Sequence, residues 1–322
     1  MSEQIHDPNK RYLRCELINE SKNKKVYRTL DKEEAISADW VEFAFDGISN
    51  DNLENLKRFI SIYSKINNPN LIKIYKAWID PSRHLLIYIS EQFSNVTIRN
   101  YIKNVVHNAG CTVISKWCVQ VISAIEQLHM CDPPIQHNNL SCDSIFIDPS
   151  EGIIKVDVPI LDSIIYNSVP PLAAPEAQRG FSVPKSDIWS LGLCVIEMAT
   201  SEIPYSEFTN LASVRTSILA GALPTAIAKI SDPSVADFVT TCLLPVNQRP
   251  TASQLHEYSL ISDFYDYKVP SPSPKSIPAP QNEDKLKVLL EKQRIEKEAL
   301  KEKHLTARKE LRMKILLKRA RL

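Results

Sequence analysis

The chain has 322 residues, 43% hydrophobic and 24% charged, with a formal charge of +1 and only six glycines against 21 prolines. Average usage would give roughly 22 glycines, and the six present (Gly47, Gly110, Gly152, Gly180, Gly192 and Gly221) are too scattered for a dinucleotide fingerprint, a glycine-rich phosphate loop or a nucleophile elbow. Collagen-like repeats and glycine-serine linkers are excluded by the same shortage, and the near-neutral total argues against a polyanionic partner for the chain as a whole.

Length suggests about two domains, or one bilobal domain with an appendage. Residues 1–10 are a polar extension without an apolar signal segment. Short strands with polar turns are predicted at 11–18, 25–30 and 35–45. A helix follows at 51–66, where Leu53, Leu56, Ile60 and Tyr63 recur at steps of three and four. Two more strands, at 71–79 and 84–90, complete an antiparallel set around one helix, a small lobe over 11–92. From residue 93 the pattern turns helical. Residues 111–130 carry Ile114, Trp117, Val121, Ile125 and Leu128 on one face, and 187–199 is apolar nearly all round, as a helix buried on every side would be. Shorter helices are expected at 211–219, 235–243 and 251–258, making a helical large lobe over 93–262. The fold class is therefore α+β and bilobal.

Residues 263–282 turn rich in proline and serine and read as a stiff linker. Residues 283–322 contain neither Gly nor Pro and hold 14 basic against seven acidic residues, a net +7 that leaves −6 for the rest. They read as a basic helical tail. A solvated helix, a coiled-coil segment, and a contact with acidic membrane or nucleic acid all remain open for it. Seven cysteines without a C-x-x-C pair fit free thiols in a reducing compartment, so a cytoplasmic location is expected, with the nucleus and endomembrane surfaces as alternatives. The apolar run 191–199 is short and interrupted by Glu197, which excludes a membrane span there. His129, Cys131 and His137 lack the paired spacing of a zinc site, so no metal centre is expected, and nothing points to specific nucleic-acid recognition.

The chemistry-bearing stretch is Pro133-Pro134-Ile135-Gln136-His137-Asn138-Asn139-Leu140-Ser141-Cys142-Asp143-Ser144, which leads into Lys155-Val156-Asp157-Val158-Pro159. Farther on come Ala174-Pro175-Glu176, Ser186-Asp187-Ile188-Trp189-Ser190-Leu191-Gly192 and Asn247-Gln248-Arg249-Pro250-Thr251. In order and spacing these resemble the catalytic loop, metal loop, A-P-E segment, core helix and terminal arginine of the protein-kinase fold over about residues 11–262. Asn139 with the Asn-Leu-Ser-Cys-Asp-Ser run, the altered metal loop and Arg249-Pro250-Thr251 make the chain resemble, more narrowly, the nuclear-receptor-binding-protein pseudokinases. These are related to the with-no-lysine kinases.

The resemblance implies a role for each matched position. Asn139 stands where the base Asp would be and Ser144 where the metal-binding Asn would be; an amide cannot take up a proton near neutral pH, and losing a placed base costs about 10²–10⁴ in rate. Gapless alignment sets Val158 at the metal-loop Asp, whereas a one-residue shift would set Asp157 there. Val41 falls at the strand lysine and Phe59 at its helix glutamate. Lys24, on the strand after the phosphate turn, is the relocated lysine of the with-no-lysine pattern or else a solvated turn residue. Ser90 and Glu91, at the junction of the lobes, complete the cofactor candidates. His137, Glu176, Asp187, Trp189, Gly192 and Arg249 are structural: Glu176 is expected to pair with Arg249, and Asp187 to hold the backbone near His137. Residues 160–173 are short for a peptide platform, and Ser163 and Ser168 are weak phosphorylation candidates.

The implied function is a catalytically inactive kinase-like adaptor in intracellular signalling or trafficking, without a cofactor. It would bind other proteins through the kinase-like domain and the C-terminal helix, which could also oligomerise. The alternative is an atypical serine/threonine kinase holding ATP and Mg²⁺ through Lys24 and Asp157.

Overall fold

The structure, a computed structural model, describes residues 7–21, 23–45, 47–159, 169–262 and 264, all within the compact unit Met1–Ser271. The proposed linker and tail, residues 160–168 with Ser163 and Ser168, and most of the N-terminal extension lie outside the described residues.

The small lobe is a five-stranded antiparallel sheet in the order β1-β2-β3-β5-β4, from β1 (Tyr12–Glu20), β2 (Lys24–Asp31), β3 (Ser37–Ala44), β4 (Ile74–Asp80) and β5 (Leu85–Glu91). Side chains alternate between its two faces. One face carries Trp40, Ile87 and Ile89 into a small outer core with Tyr12, while Val41, Phe43 and Tyr88 face the main core. Helix α1 (Asn50–Tyr63) starts at Ser49, whose hydroxyl accepts the Asn52 N–H, an ordinary N-cap. It buries Leu56, Phe59 and Tyr63 at helical spacing.

The large lobe begins with α2 (Ile98–Tyr101), which runs into a π-helical turn at Ile102–Val106; the sequence reading placed no element there. Helix α3 (Cys111–His129) buries Ile114, Trp117, Val121, Ile125 and Leu128 along one stripe. A two-stranded ribbon, β6 (Ile145–Asp148) with β7 (Ile153–Val156), carries the catalytic-loop and metal-loop segments at its ends. After α4 (Pro175–Gln178), α5 (Pro184–Thr200) opens with Pro at its first turn, a position that needs no N–H donor. Gly192 lets α5 approach α7 (Pro233–Cys242): a Cβ there would lie 2.7 Å from the Cys242 Cβ. Helix α6 (Leu211–Leu219) lies where the sequence placed it. The helix expected at 251–258 is instead a 3₁₀ turn at Ser253–Glu257 followed by the short α8 (Ser259–Ser262). An additional 3₁₀ turn occupies Thr225–Lys229. No helix among the described residues is long and apolar enough to cross a membrane, and the seven cysteines are free thiols.

Candidate active site

The main cleft, of about 560 Å³, lies under the inner face of the small-lobe sheet. Its walls follow from strand periodicity. Lys24 and Val26 on β2, Asp39 and Val41 on β3, and Tyr88 and Ser90 on β5 all line it. The register sets Val26 opposite Val41 and Val41 opposite Tyr88, and sets Asp39 between Arg28 and Ser90. Phe146 of β6 and Ile72 supply further apolar surface, and Asp143 and Asp157 add acids.

Lys24 reaches across this cleft to Asp157, Nζ to Oδ2 3.5 Å, with each side chain about a third exposed. The Asp157 carboxylate, then the Tyr88 hydroxyl, hold the Lys24 ammonium well above the ordinary lysine range. At this exposure the ion pair adds at most about 1 kcal/mol of stability, so its weight lies in placing a cation and a carboxylate together. Asp157 is fixed from its backbone: its N–H donates to the Ser144 carbonyl at 2.9 Å, and its carbonyl lies 3.2 Å from His137 Nε2. The Val158 N–H donates to Asp157 Oδ1 at 2.7 Å, while the Val158 side chain is buried in the core. Of the two residues the alternative alignments set at the metal position, Asp157 lines the cleft and Val158 does not. The strand reaches the cleft with Asp157, one residue earlier.

The loop carrying Asn139 is held from beneath. Asp187, 1% exposed, accepts the His137 N–H and the Asn138 N–H, each at 2.9 Å, and meets His129 Nε2 at 2.8 Å. Asn138 takes a left-handed φ of 61°, a conformation that asparagine tolerates better than most residues. Burial lowers the His137 pKa and keeps its ring neutral. Ser144 Oγ lies within hydrogen-bond distance of the Asn139 carbonyl (3.1 Å) and the Ser141 carbonyl (3.0 Å), and accepts the Ser141 N–H at 2.9 Å. It is thus committed within the loop. Glu176 pairs with Arg249 at 2.6 Å, and Arg249 lies against the Trp189 ring at 5.4 Å. These contacts brace the large lobe away from the cleft.

Other candidates divide. Val41 and Phe59 are both buried in the main apolar core. Ser90 lines the cleft. The Glu91 side chain does not present a free carboxylate: its Oε1 accepts Lys155 Nζ at 2.8 Å and the Lys73 N–H at 2.7 Å. The sequence reading missed Asp39, Tyr88 and Lys155. Asp39 could have been noticed as the one acid two positions before Val41, hence on the same face of the strand. Burial pushes its carboxyl up to about 6 despite the opposing pull of Lys24 and Arg28, and its Oδ1 is buried without a hydrogen bond among the described residues. For Mg²⁺ the donor set fits one ion at Asp157 completed by phosphate oxygens and water, as that ion usually binds, since Ser144 Oγ is already engaged.

A family model described as protein tyrosine and serine/threonine kinase matches residues 41–258. The chain is 30% identical over 247 residues to the serine/threonine-protein kinase pkpA of Phycomyces blakesleeanus, covering 74% of this chain and 40% of that protein. It is 31% identical over 262 residues to the "Probable serine/threonine-protein kinase WNK4" of Arabidopsis thaliana, covering 77% and 45%. The chain therefore spans less than half the length of these curated relatives. The expectation of a catalytically inactive chain is overturned here, because both relatives carry the names of serine/threonine kinases. The replacements at Asn139, Ser144 and Val41 were too narrow a basis for it.

Proposed function

Because the chain belongs to the protein tyrosine and serine/threonine kinase family, we propose that it is an atypical serine/threonine protein kinase that binds ATP through Lys24 and Asp157. The observation that carries this reading is the 3.5 Å approach of the Lys24 ammonium to the Asp157 carboxylate across the cleft. With Val41 at the usual lysine position, β2 supplies the cation, and a relative named WNK4 supports the with-no-lysine pattern. In this reading Lys24 grips phosphate oxygens. The apolar walls at Val26, Val41 and Phe146 hold the base. Asp157 is the residue that would hold Mg²⁺, which when bound would neutralise negative charge that develops on transfer.

Asn139 sits where the acceptor hydroxyl would approach. Its amide can orient that hydroxyl but not take its proton, which would pass to an oxygen of the transferred phosphoryl group. Phosphoryl transfer through a loose transition state depends chiefly on positioning and electrostatics, so this arrangement supports turnover at a reduced rate. An apolar groove of about 430 Å³ runs beside Asn139, lined also by Leu140, Pro171, Leu193, Tyr205 and Phe208. It offers a bed for an acceptor peptide. Protein substrates are the partners this reading requires, and seven free thiols fit a reducing compartment.

The test is phosphate transfer from labelled ATP to a generic serine/threonine substrate by the purified full chain, together with the thermal midpoint in Mg²⁺ and ATP. Lys24→Ala and Asp157→Ala are each expected to abolish transfer and remove the ATP-dependent rise in midpoint. Transfer that survives both changes, or no rise at millimolar ATP in the unaltered protein, would sink the reading.

A further inference from the structure

We propose that Arg99 sets the acceptor specificity of the groove beside Asn139. By holding the carboxylates of Glu197 and Asp143 it takes away the groups that would attract arginine or lysine, so the groove selects a segment with a large apolar side chain near its serine or threonine. This inference rests on the kinase reading above and goes further by naming the class of acceptor. The groove, of about 430 Å³, is walled chiefly by apolar side chains. Leu140, Leu193 and Val214 are buried in it, while Ile203 and Leu211 remain 47% and 66% exposed. Exposed apolar side chains grouped around a concave apolar surface mark a binding site.

The charges of the groove decide what it can take. Arg99 and Glu197 are the only charged residues among the described residues that line it, and they are spent on each other. Arg99 Nε donates to Glu197 Oε1 at 2.5 Å and Nη2 donates to Oε2 at 2.9 Å, while Nη1 donates to Asp143 Oδ2. A guanidinium fork set against a carboxylate is the strong, geometrically fixed form of ion pair. A lysine or arginine of an incoming segment would have to displace Arg99 to reach either acid. The displaced guanidinium would lose its partners, and the newcomer would be desolvated beside a like charge, which costs affinity.

Arg99 is also placed by its backbone. It sits in α2, whose first turn is capped by the Thr97 hydroxyl accepting the Asn100 N–H, and its own N–H donates to the Cys142 carbonyl at 3.0 Å. Cys142 belongs to the same loop as Asn139, so the guanidinium is fixed relative to the point where the acceptor hydroxyl approaches. Two further acids of this segment are engaged elsewhere. Glu202 pairs with Lys229 at 2.5 Å, Glu207 accepts the Thr225 N–H at 2.9 Å, and neither lines the groove.

The test uses peptides with one serine among alanines, in which phenylalanine or arginine is placed in turn at each flanking position. Binding to the full chain is read by fluorescence anisotropy, alongside transfer from labelled ATP. At the best position the unaltered protein is expected to bind the phenylalanine peptide about tenfold more tightly than the alanine peptide, the scale of burying one aromatic side chain. Arginine should bring no gain at any position. Arg99→Ala frees both carboxylates, so arginine peptides should then bind about tenfold more tightly than before, the scale of one charge-assisted hydrogen bond; adding Glu197→Gln should cancel that gain. Leu211→Ser, at an exposed position, should cut the phenylalanine preference about threefold with the thermal midpoint unchanged. Midpoints without peptide show whether each variant is folded, and the comparison within the unaltered protein needs none of them. Arginine favoured by the unaltered protein, or no arginine gain in folded Arg99→Ala, overturns the role of Arg99. Equal binding of phenylalanine and alanine peptides overturns the apolar preference. Either result with transfer intact leaves the kinase reading standing, whereas absence of transfer to every peptide removes that reading and the binding ratios still decide what the groove takes.

Discussion

A carboxylate such as Asp39, held in a cleft wall beside apolar surface, is costly in its charged form, and its pKa of about 6 expresses that cost. The sign follows from linkage. The folded state holds the proton to a higher pH than the unfolded chain does, so this group favours folding below about pH 4 and that contribution is lost as pH rises through 6. The shift from 3.8 to about 6 corresponds to at most about 3 kcal/mol, and partial exposure reduces it to roughly 1–2 kcal/mol. About half of that amount has already accrued at pH 5, so Asp39→Asn should stabilise the protein by about 0.5–1 kcal/mol more at pH 7.5 than at pH 5, measured by urea unfolding of both proteins at both values. His137, whose lowered pKa acts in the opposite sense, is common to both and cancels in the difference. A gain equal at the two pH values would show that Asp39 is not the group responsible. The same residue shows where sequence reading stops. Asn139 and Ser144 stand out because a motif surrounds them, whereas Asp39 acquires meaning only from the registers that set it between Arg28 and Ser90.

At the level of elements, the large lobe is organised around α5. Asp187 near its start holds the loop of His137 and Asn138. Glu197 near its end, 5% exposed, receives Arg99 of α2 through Nε at 2.5 Å and Nη2 at 2.9 Å, and Arg99 also pairs with Asp143. Beside it, Arg249 is buried and spends its guanidinium on Glu176, the Lys185 carbonyl and the Leu244 carbonyl. Burial is the largest single influence on Glu176 and raises its pKa, but the Arg249 hydrogen bond and charge, a backbone N–H and the Ser186 hydroxyl together outweigh it and the net direction is down. Glu176→Ala would leave the buried guanidinium without its counter-charge. The expected loss is about 3–5 kcal/mol, as for other broken buried pairs, read as a lower urea midpoint with unchanged slope. Asp237→Ala, at an exposed position of α7, serves as the control; a loss below about 1 kcal/mol for Glu176→Ala would mean that Arg249 is sustained by its two carbonyls. Glu176, Asp187, Gly192 and Arg249 were legible in sequence because they carry local motifs. The π-turn after α2 and the short final elements were not, because tertiary packing over a few residues outweighs their weak periodicity.

For the molecule as a whole, a cleft between lobes keeps its shape only if the lobes are joined firmly, and Asn70 supplies a joint. Its side-chain amide donates to the Ile154 carbonyl at 2.9 Å and to Gln120 Oε1 at 3.0 Å. Its backbone carbonyl accepts the Val156 N–H at 2.8 Å, and the Ile72 N–H donates to the Val156 carbonyl at 3.0 Å. Gln120 closes the network by accepting the Ile154 N–H at 2.8 Å. The segment entering β4 is thereby fastened to β7 and α3, and β7 leads directly to Asp157, the partner of Lys24. The two-lobe division could be read from the change of period near residue 93, but the fastening could not, since Asn70 and Gln120 are 50 residues apart. Asn70→Ala removes two donors and leaves the Ile154 carbonyl and the Gln120 acceptor underused in a buried site, at a cost of about 2–3 kcal/mol. Because the bonds lost join lobes, the effect should reach beyond stability: calorimetry should resolve a separate, earlier transition for the small lobe, and ATP affinity should fall even though Asn70 does not line the cleft. A single transition shifted down with affinity unchanged would show instead that Asn70 only stabilises its own turn, and that other contacts carry the register between Lys24 and Asp157.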